Sequence, residues 1–311
     1  MKEHPSPIEP DGRPRGIQAA PEVVRATLRS GVDLRRMTRA DVPAGLALCR
    51  TSGWNQTTAD WEELLELGGE RCRIAVIDGR VVGTATTVVY EDHFAWIGMV
   101  LVEPEVRGQG IGGALLRDAL DSLGDVPARL DATPEGHPLY LKLGFVEECR
   151  LQRMRSTSAS PGGTDEARGA RPMRREDLDV VSAWDRRVFG ADRRKILEWA
   201  LEKAPELAFV VERGTSIRGY CLGRRGHIFQ QVGPVVAEDH EAATQLVAVC
   251  RQRATNEPMV VDAPTAQRAW TGRLMELGFV GARPFIRMCR GTNRHPGQPD
   301  RQMAIFGPEW G

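Results

Sequence analysis

Val100-Leu101-Val102-Glu103-Pro104-Glu105-Val106-Arg107-Gly108-Gln109-Gly110-Ile111-Gly112-Gly113 reads as the end of an apolar strand, a glycine-rich turn and the start of an amphipathic helix. Glycines at 108, 110, 112 and 113 remove the side chains that would hold an anion away from backbone N–H groups. Those groups point out of a helix start, where the helix dipole also favours negative charge. Arg107 adds a fixed positive charge with a planar fork of donors. The segment predicts a site for a diphosphate-sized anion.

Three readings of the loop compete. A glycine turn that merely caps a strand needs no ligand. A dinucleotide fold is the second reading, because Gly108, Gly110 and Gly113 satisfy G-x-G-x-x-G and Asp131 lies near the distance of a ribose-binding acid. That fingerprint should follow its strand directly, whereas Glu103-Pro104-Glu105 intervenes and the upstream elements read as hairpins. The third reading is acyl-coenzyme A. The string Val102-x-Pro104-x-x-Arg107-Gly108-x-Gly110-Ile111-Gly112 resembles the pyrophosphate-binding motif of GNAT-family N-acetyltransferases. Tyr140-Leu141-Lys142-Leu143-Gly144-Phe145 resembles the signature that ends the same domain. The two motifs stand in the family's order.

Around these motifs the chain reads as alternating strands and helices. Arg73–Ile77 and Val81–Tyr90 are expected strands joined by Asp78-Gly79, a strong hairpin signal. Phe94–Val102 is the strand that feeds the loop, and Ile111, Leu115, Ala119 and Leu123 fall near one face of the following helix. Thr58 is the expected cap of a helix over Thr58–Leu67. A segment from Ser156 to Thr164, rich in Ser, Gly and Pro, reads as a linker.

Beyond the linker the pattern restarts. Arg171 to Leu178 echoes Arg35 to Val42, Val261-Asp262-Ala263 echoes Leu130-Asp131-Ala132, and Arg287-Met288 echoes Arg153-Met154. Echoes in one order argue for two copies of one fold. The second copy lacks the glycine loop, since Asp239-His240-Glu241-Ala242 passes straight into a helix, and Leu274 stands where Tyr140 does. The layout resembles tandem-GNAT proteins with an active N-terminal and a degenerate C-terminal domain. The expected organisation is a flexible arm over 1–31, a catalytic domain over 32–155, a linker over 156–170, a degenerate domain over 171–290 and an extension over 291–311. The resemblance implies an α/β (α+β) fold in which each domain has a mostly antiparallel sheet, with one splayed strand pair, flanked by helices.

It also implies an acetyl-coenzyme A-dependent enzyme that acetylates a primary amine of a small molecule. Met99, Val100, Leu101 and Val102 match the strand that serves the pantetheine arm, and Arg107, Gly108, Gln109, Gly110, Ile111, Gly112 and Gly113 match the diphosphate loop. Tyr140 matches the family's general acid. The family's strand glutamate is missing from Phe94–Val102, so Glu91, Asp92 and Asp131 are the expected candidates for base or amine binding, with water as the alternative. Trp54 and Asn55, between the first two helices, are candidates for acceptor contacts. Two other readings stand beside this one: an acyl-coenzyme A-binding regulator with little catalysis, and acetylation of a protein amine.

Composition narrows the classes. At 311 residues the chain can hold two cores, and 42 basic against 42 acidic residues give no net field toward nucleic acid or membrane. The six cysteines are scattered without C-x-x-C spacing, which fits reduced thiols in the cytoplasm rather than a disulfide framework or a zinc site. No metal is expected, and a homodimer is compatible with the sequence.

Overall fold

The computed structural model describes residues 31–156, 167–253 and 257–311. All but Gly31 of the expected arm, and residues 157–166 of the expected linker, lie outside the described residues. The first half runs β1 (Val32–Arg36), α1 (Val42–Thr51), α2 (Thr58–Gly68), β2 (Arg73–Ile77), β3 (Arg80–Tyr90), β4 (Phe94–Val102), α3 (Ile111–Asp121), β5 (Ala128–Ala132), α4 (His137–Lys142) and β6 (Val146–Ser156). The second half repeats it as β7 (Ala170–Pro172), α5 (Leu178–Phe189), α6 (Arg194–Lys203), β8 (Phe209–Arg213), β9 (Ser216–Arg224), β10 (Gln230–Ala237), α7 (His240–Arg253), β11 (Met259–Pro264), α8 (Arg268–Glu276) and β12 (Val280–Arg290). A short β13 (Gln302–Ala304) follows.

Local chemistry explains the boundaries. Asp78 and Gly79 both take positive φ, as a two-residue hairpin turn between β2 and β3 requires. The cap of α2 is Thr57, one residue before the expected Thr58. Its hydroxyl accepts from the Asp60 amide, while the Asp60 carboxylate takes the Thr57 N–H at 2.6 Å. Only Thr57 has the acid three residues on that closes this reciprocal box.

All strands join one sheet, in the order β1-β2-β3-β4-β5-β12-β6-β11-β10-β9-β8-β7, with β13 paired to β10. Neighbours are antiparallel except for β4–β5 and β10–β11, which are parallel. The order is symmetric about its centre, and the halves exchange their last strands. β12 inserts between β5 and β6, while β6 lies against β11. The two expected sheets are therefore one. Two ion pairs sit at equivalent positions of this exchange. Arg287 on β12 makes two bonds of 2.9 Å to Asp131 on β5, and Arg153 on β6 bonds Asp262 on β11 at 2.7 and 2.8 Å.

One face of the first half packs Ile97, Leu116, Ala119, Leu130, Tyr140 and Phe145 together. The other face belongs to a core shared by both halves, in which Trp61, Leu64 and Trp96 meet Phe189, Tyr220, Phe306 and Trp310. The chain end is part of this core. Trp96 Nε1 donates to Pro308 O, Tyr90 OH donates to Trp310 O, and Arg193 Nη1 donates to Gly311 O, at 2.8–2.9 Å.

Candidate active site

β4 and β5 pair only at Ala95–Ala128 and Trp96–Arg129. Beyond Trp96 the parallel strands separate and leave a backbone edge of β4 unpaired by β5. On its other edge β4 loses register with β3 between Gly98 and Leu101, where Met99 takes φ +50° and its carbonyl accepts from Thr84 Oγ1 at 2.7 Å. This bulge re-aims the strand as it leaves β5. Val100 and Val102 are half-buried and Leu101 is buried.

At the end of β4 the chain passes through Arg107 and Gly108, both exposed, and then through Gln109 and Gly110, both half-buried. Gly110 caps α3 with φ +82°, a left-handed conformation that most L side chains resist. The first backbone bond onto this cap is Ala114 N to Gly110 O, so the amides of Ile111, Gly112 and Gly113 precede the intrahelical ladder. Arg107 Nε donates to Val102 O at 2.9 Å, which ties its guanidinium to the end of β4. The helix start, its leading amides and Arg107 lie within a few residues of one another at the end of β4. They fit a diphosphate.

Tyr140 lies on α4, just after β5. Its ring meets Phe145 edge-on at 6.0 Å, which explains why the Gly144-Phe145 pair accompanies it. Burial pushes its phenol up to about 12, so it is protonated at neutral pH. Its hydroxyl makes no hydrogen bond among the described residues.

Residues 68–147 match a family model described as an acetyltransferase (GNAT) domain, and residues 181–307 match a second model of the same description. The chain is a tandem GNAT acyltransferase. It is similar to the holothin acyltransferase of Pseudoalteromonas sp. (strain SANK 73390), 26% identical over 259 residues that cover 83% of this chain and 87% of that protein. Among solved structures, a putative acetyltransferase from Pyrococcus horikoshii superposes with a TM-score of 0.78 at 22% identity, over 92% of this chain and 98% of that one. A tandem GNAT protein from the clavulanic acid biosynthesis pathway gives 0.57 at 14% identity, over 83% and 98%. Both share the fold.

Glu91 and Asp92 lie away from the parting of β4 and β5, and Asp131, on β5 just past its last pair with β4, is engaged elsewhere. Glu91 and Asp92 form the β3–β4 turn at the opposite end of β4 from the loop, about 25 Å of extended strand from Met99. Glu91 ties the two halves together, accepting from Arg186 at 2.8 and 3.0 Å and from the Asp192 amide at 2.6 Å. Asp131 has a buried carboxylate with both oxygens on Arg287. It cannot hold an amine while that pair stands. Asn55 is likewise engaged, since Oδ1 accepts from the Ile228 and Phe229 amides and Nδ2 donates to Phe229 O. It clasps the β9–β10 loop, and half-buried Trp54 packs against the shared core. These partners lie far away in sequence, so no local pattern announces them.

The second GNAT half is built otherwise. β10 and β11 also pair at only two positions, Gln230–Met259 and Gln231–Val260, before parting. Here β13 enters the gap, pairing with β10 at Val235 and Val236, and Ile305 N donates to Asp262 O on β11. The chain's own tail fills the cleft that is open in the first half. Among the described residues no group of three His, Cys, Asp or Glu is placed to hold a metal ion, and no helix is long and apolar enough to cross a membrane.

One carboxylate near β4 has no forerunner in the motifs. Glu309 lies against Gly98, whose missing side chain admits it. The only sequence trace is Gly98 itself, a glycine inside an apolar strand, which marks a close backbone approach.

Proposed function

We propose that this chain transfers an acetyl group from acetyl-coenzyme A to the primary amine of a small molecule, by direct attack in the N-terminal half. The observation that carries the reading is the convergence of the glycine loop, the parted edge of β4 and Tyr140 at one end of one strand pair. Bound acetyl-coenzyme A supplies the activated acetyl thioester. The amides of Ile111, Gly112 and Gly113, with Arg107, would hold the diphosphate. The edge of Met99–Val102 that β5 leaves unpaired would align the pantetheine arm, with donors fixed before charge develops. Tyr140 would protonate the departing sulfur, and its raised pKa keeps a proton available for that step. A small-molecule acceptor is supported by the name of the similar holothin acyltransferase.

Tyr140→Phe keeps the ring and its packing on Phe145 and removes the proton. Thiol release from acetyl-coenzyme A is expected to fall about 10²-fold in kcat across an amine panel, with acetyl-coenzyme A affinity unchanged. A wild type no faster than the variant on every amine would favour a coenzyme A-binding regulator instead.

A further inference from the structure

Resting on that reading, we propose that Glu309, from the C-terminal tail, supplies the acceptor-side carboxylate that β4 lacks, and that the acceptor is therefore a cationic amine. Gly98 immediately precedes the Met99 bulge. A Cβ on Gly98 would lie 2.9 Å from Glu309 Cα and 3.0 Å from its carbonyl oxygen, so the tail residue occupies the space of a β4 side chain. The carboxylate stands on the face of β4 that carries Trp96, opposite the face that packs on α3 and α4.

The carboxylate is held on one side only. Oε1 accepts from Gln56 Nε2 at 2.9 Å and from Arg224 Nη2. Oε2 is buried and has no hydrogen-bond partner among the described residues, although Glu309 is only 3% exposed. Arg224 also binds Asp60 Oδ1 at 2.9 Å, and Gln231 links Arg224 to the Arg153–Asp262 pair. Three carboxylates thus share the guanidiniums of Arg224 and Arg153, with Arg283 near enough to act electrostatically on Glu309 and Asp262. Arg283, half-buried over Phe285, makes no hydrogen bond to any of them. A buried carboxylate left with one idle oxygen is costly unless a donor completes it. An alkylammonium group brings the missing donor, and its charge strengthens a hydrogen bond to a carboxylate.

The chemistry then closes. The ammonium gives one proton to Glu309 Oε2 and becomes a neutral amine. Its nitrogen forms the N–C bond to the acetyl carbon as the C–S bond breaks, and Tyr140 gives its proton to the sulfur. The second nitrogen proton is lost to solvent, solvent reprotonates Tyr140, and Glu309 releases its proton, so one proton is produced per turnover. With Glu309 3% exposed, entry of the amine requires the 305–311 tail to move.

Glu309→Gln keeps an oxygen for Gln56 and Arg224 and removes the charge. The test measures kcat/KM on a panel of alkylamines, diamines and amino sugars, with acetyl-coenzyme A affinity measured by calorimetry. A loss of about 10²-fold in kcat/KM with affinity within twofold is expected. A loss below threefold overturns the proposal, as does a loss matched by an equal fall in acetyl-coenzyme A affinity, which marks a structural role. Gly307→Ala provides a second reading, because its methyl would stand 3.1 Å from Oε2 and 2.9 Å from Arg224 Nη2, crowding the idle oxygen with every charge kept. It should raise the amine KM about tenfold, and an unchanged KM counts against the site. A wild type that neither binds acetyl-coenzyme A nor acetylates any amine overturns the acetyltransferase reading itself. Normal turnover by Glu309→Gln overturns this assignment alone.

Discussion

Gly110→Asp is expected to abolish acetyl-coenzyme A binding while the protein stays folded. The residue caps α3 with φ +82°, and aspartate tolerates that region better than most side chains, so the backbone cost is small. The electrostatic cost is not. A carboxylate about 4 Å from one phosphate charge is worth about 4 kcal/mol at the effective dielectric of a protein surface. That energy alone corresponds to about 10³-fold in affinity. It also cancels the favourable field of the helix start. Gly110→Asn is the control, with a similar shape and left-handed tolerance but no charge. Calorimetric titration should show near-complete loss for aspartate and a much smaller loss for asparagine. Equal losses would make the effect one of shape, and unchanged affinity would place the diphosphate elsewhere.

The second large effect lies in the centre of the sheet. Asp131→Ala leaves the Arg287 guanidinium buried without its partner, where β12 of one half meets β5 of the other. Removing one member of a buried pair costs about 3–5 kcal/mol, because the remaining charge stays desolvated. For a chain of 311 residues that lowers the melting temperature by roughly 5–8 °C. The double replacement Asp131→Leu with Arg287→Met removes both charges at similar volume and should recover most of the loss. Differential scanning calorimetry of the three variants reads this directly. A single variant that melts with the wild type would show that the pair does not hold the exchanged strand.

These two predictions separate what local sequence shows from what it hides. β4 spans the expected Phe94–Val102, the Asp78-Gly79 turn joins the expected strands, and the loop and Tyr140 stand at one parting of strands, because each depends on neighbours within a few residues. The repeat was also legible, since Arg35–Asp41 and Arg171–Asp177 are the same ion pair in each half. The strand exchange was not. β6 and β12 carry the same Arg-Met pattern, so either could lie beside either aspartate, and only the three-dimensional path chooses Arg287 for Asp131. Two of the acidic candidates have partners that the motifs do not show. A carboxylate beside a motif looks available until its partner is known, and those of Asp131 and Glu91 lie 156 and 95 residues away. Glu309 was missed in the opposite way, because it reaches β4 from the far end of the chain.

One coenzyme A site per chain is expected, at the loop that starts α3, since β13 fills the equivalent cleft of the second half. Isothermal titration of the protein with acetyl-coenzyme A checks this. A stoichiometry of one that disappears in Gly110→Asp is the expected result. Two molecules per chain, or one molecule retained by the variant, would contradict it.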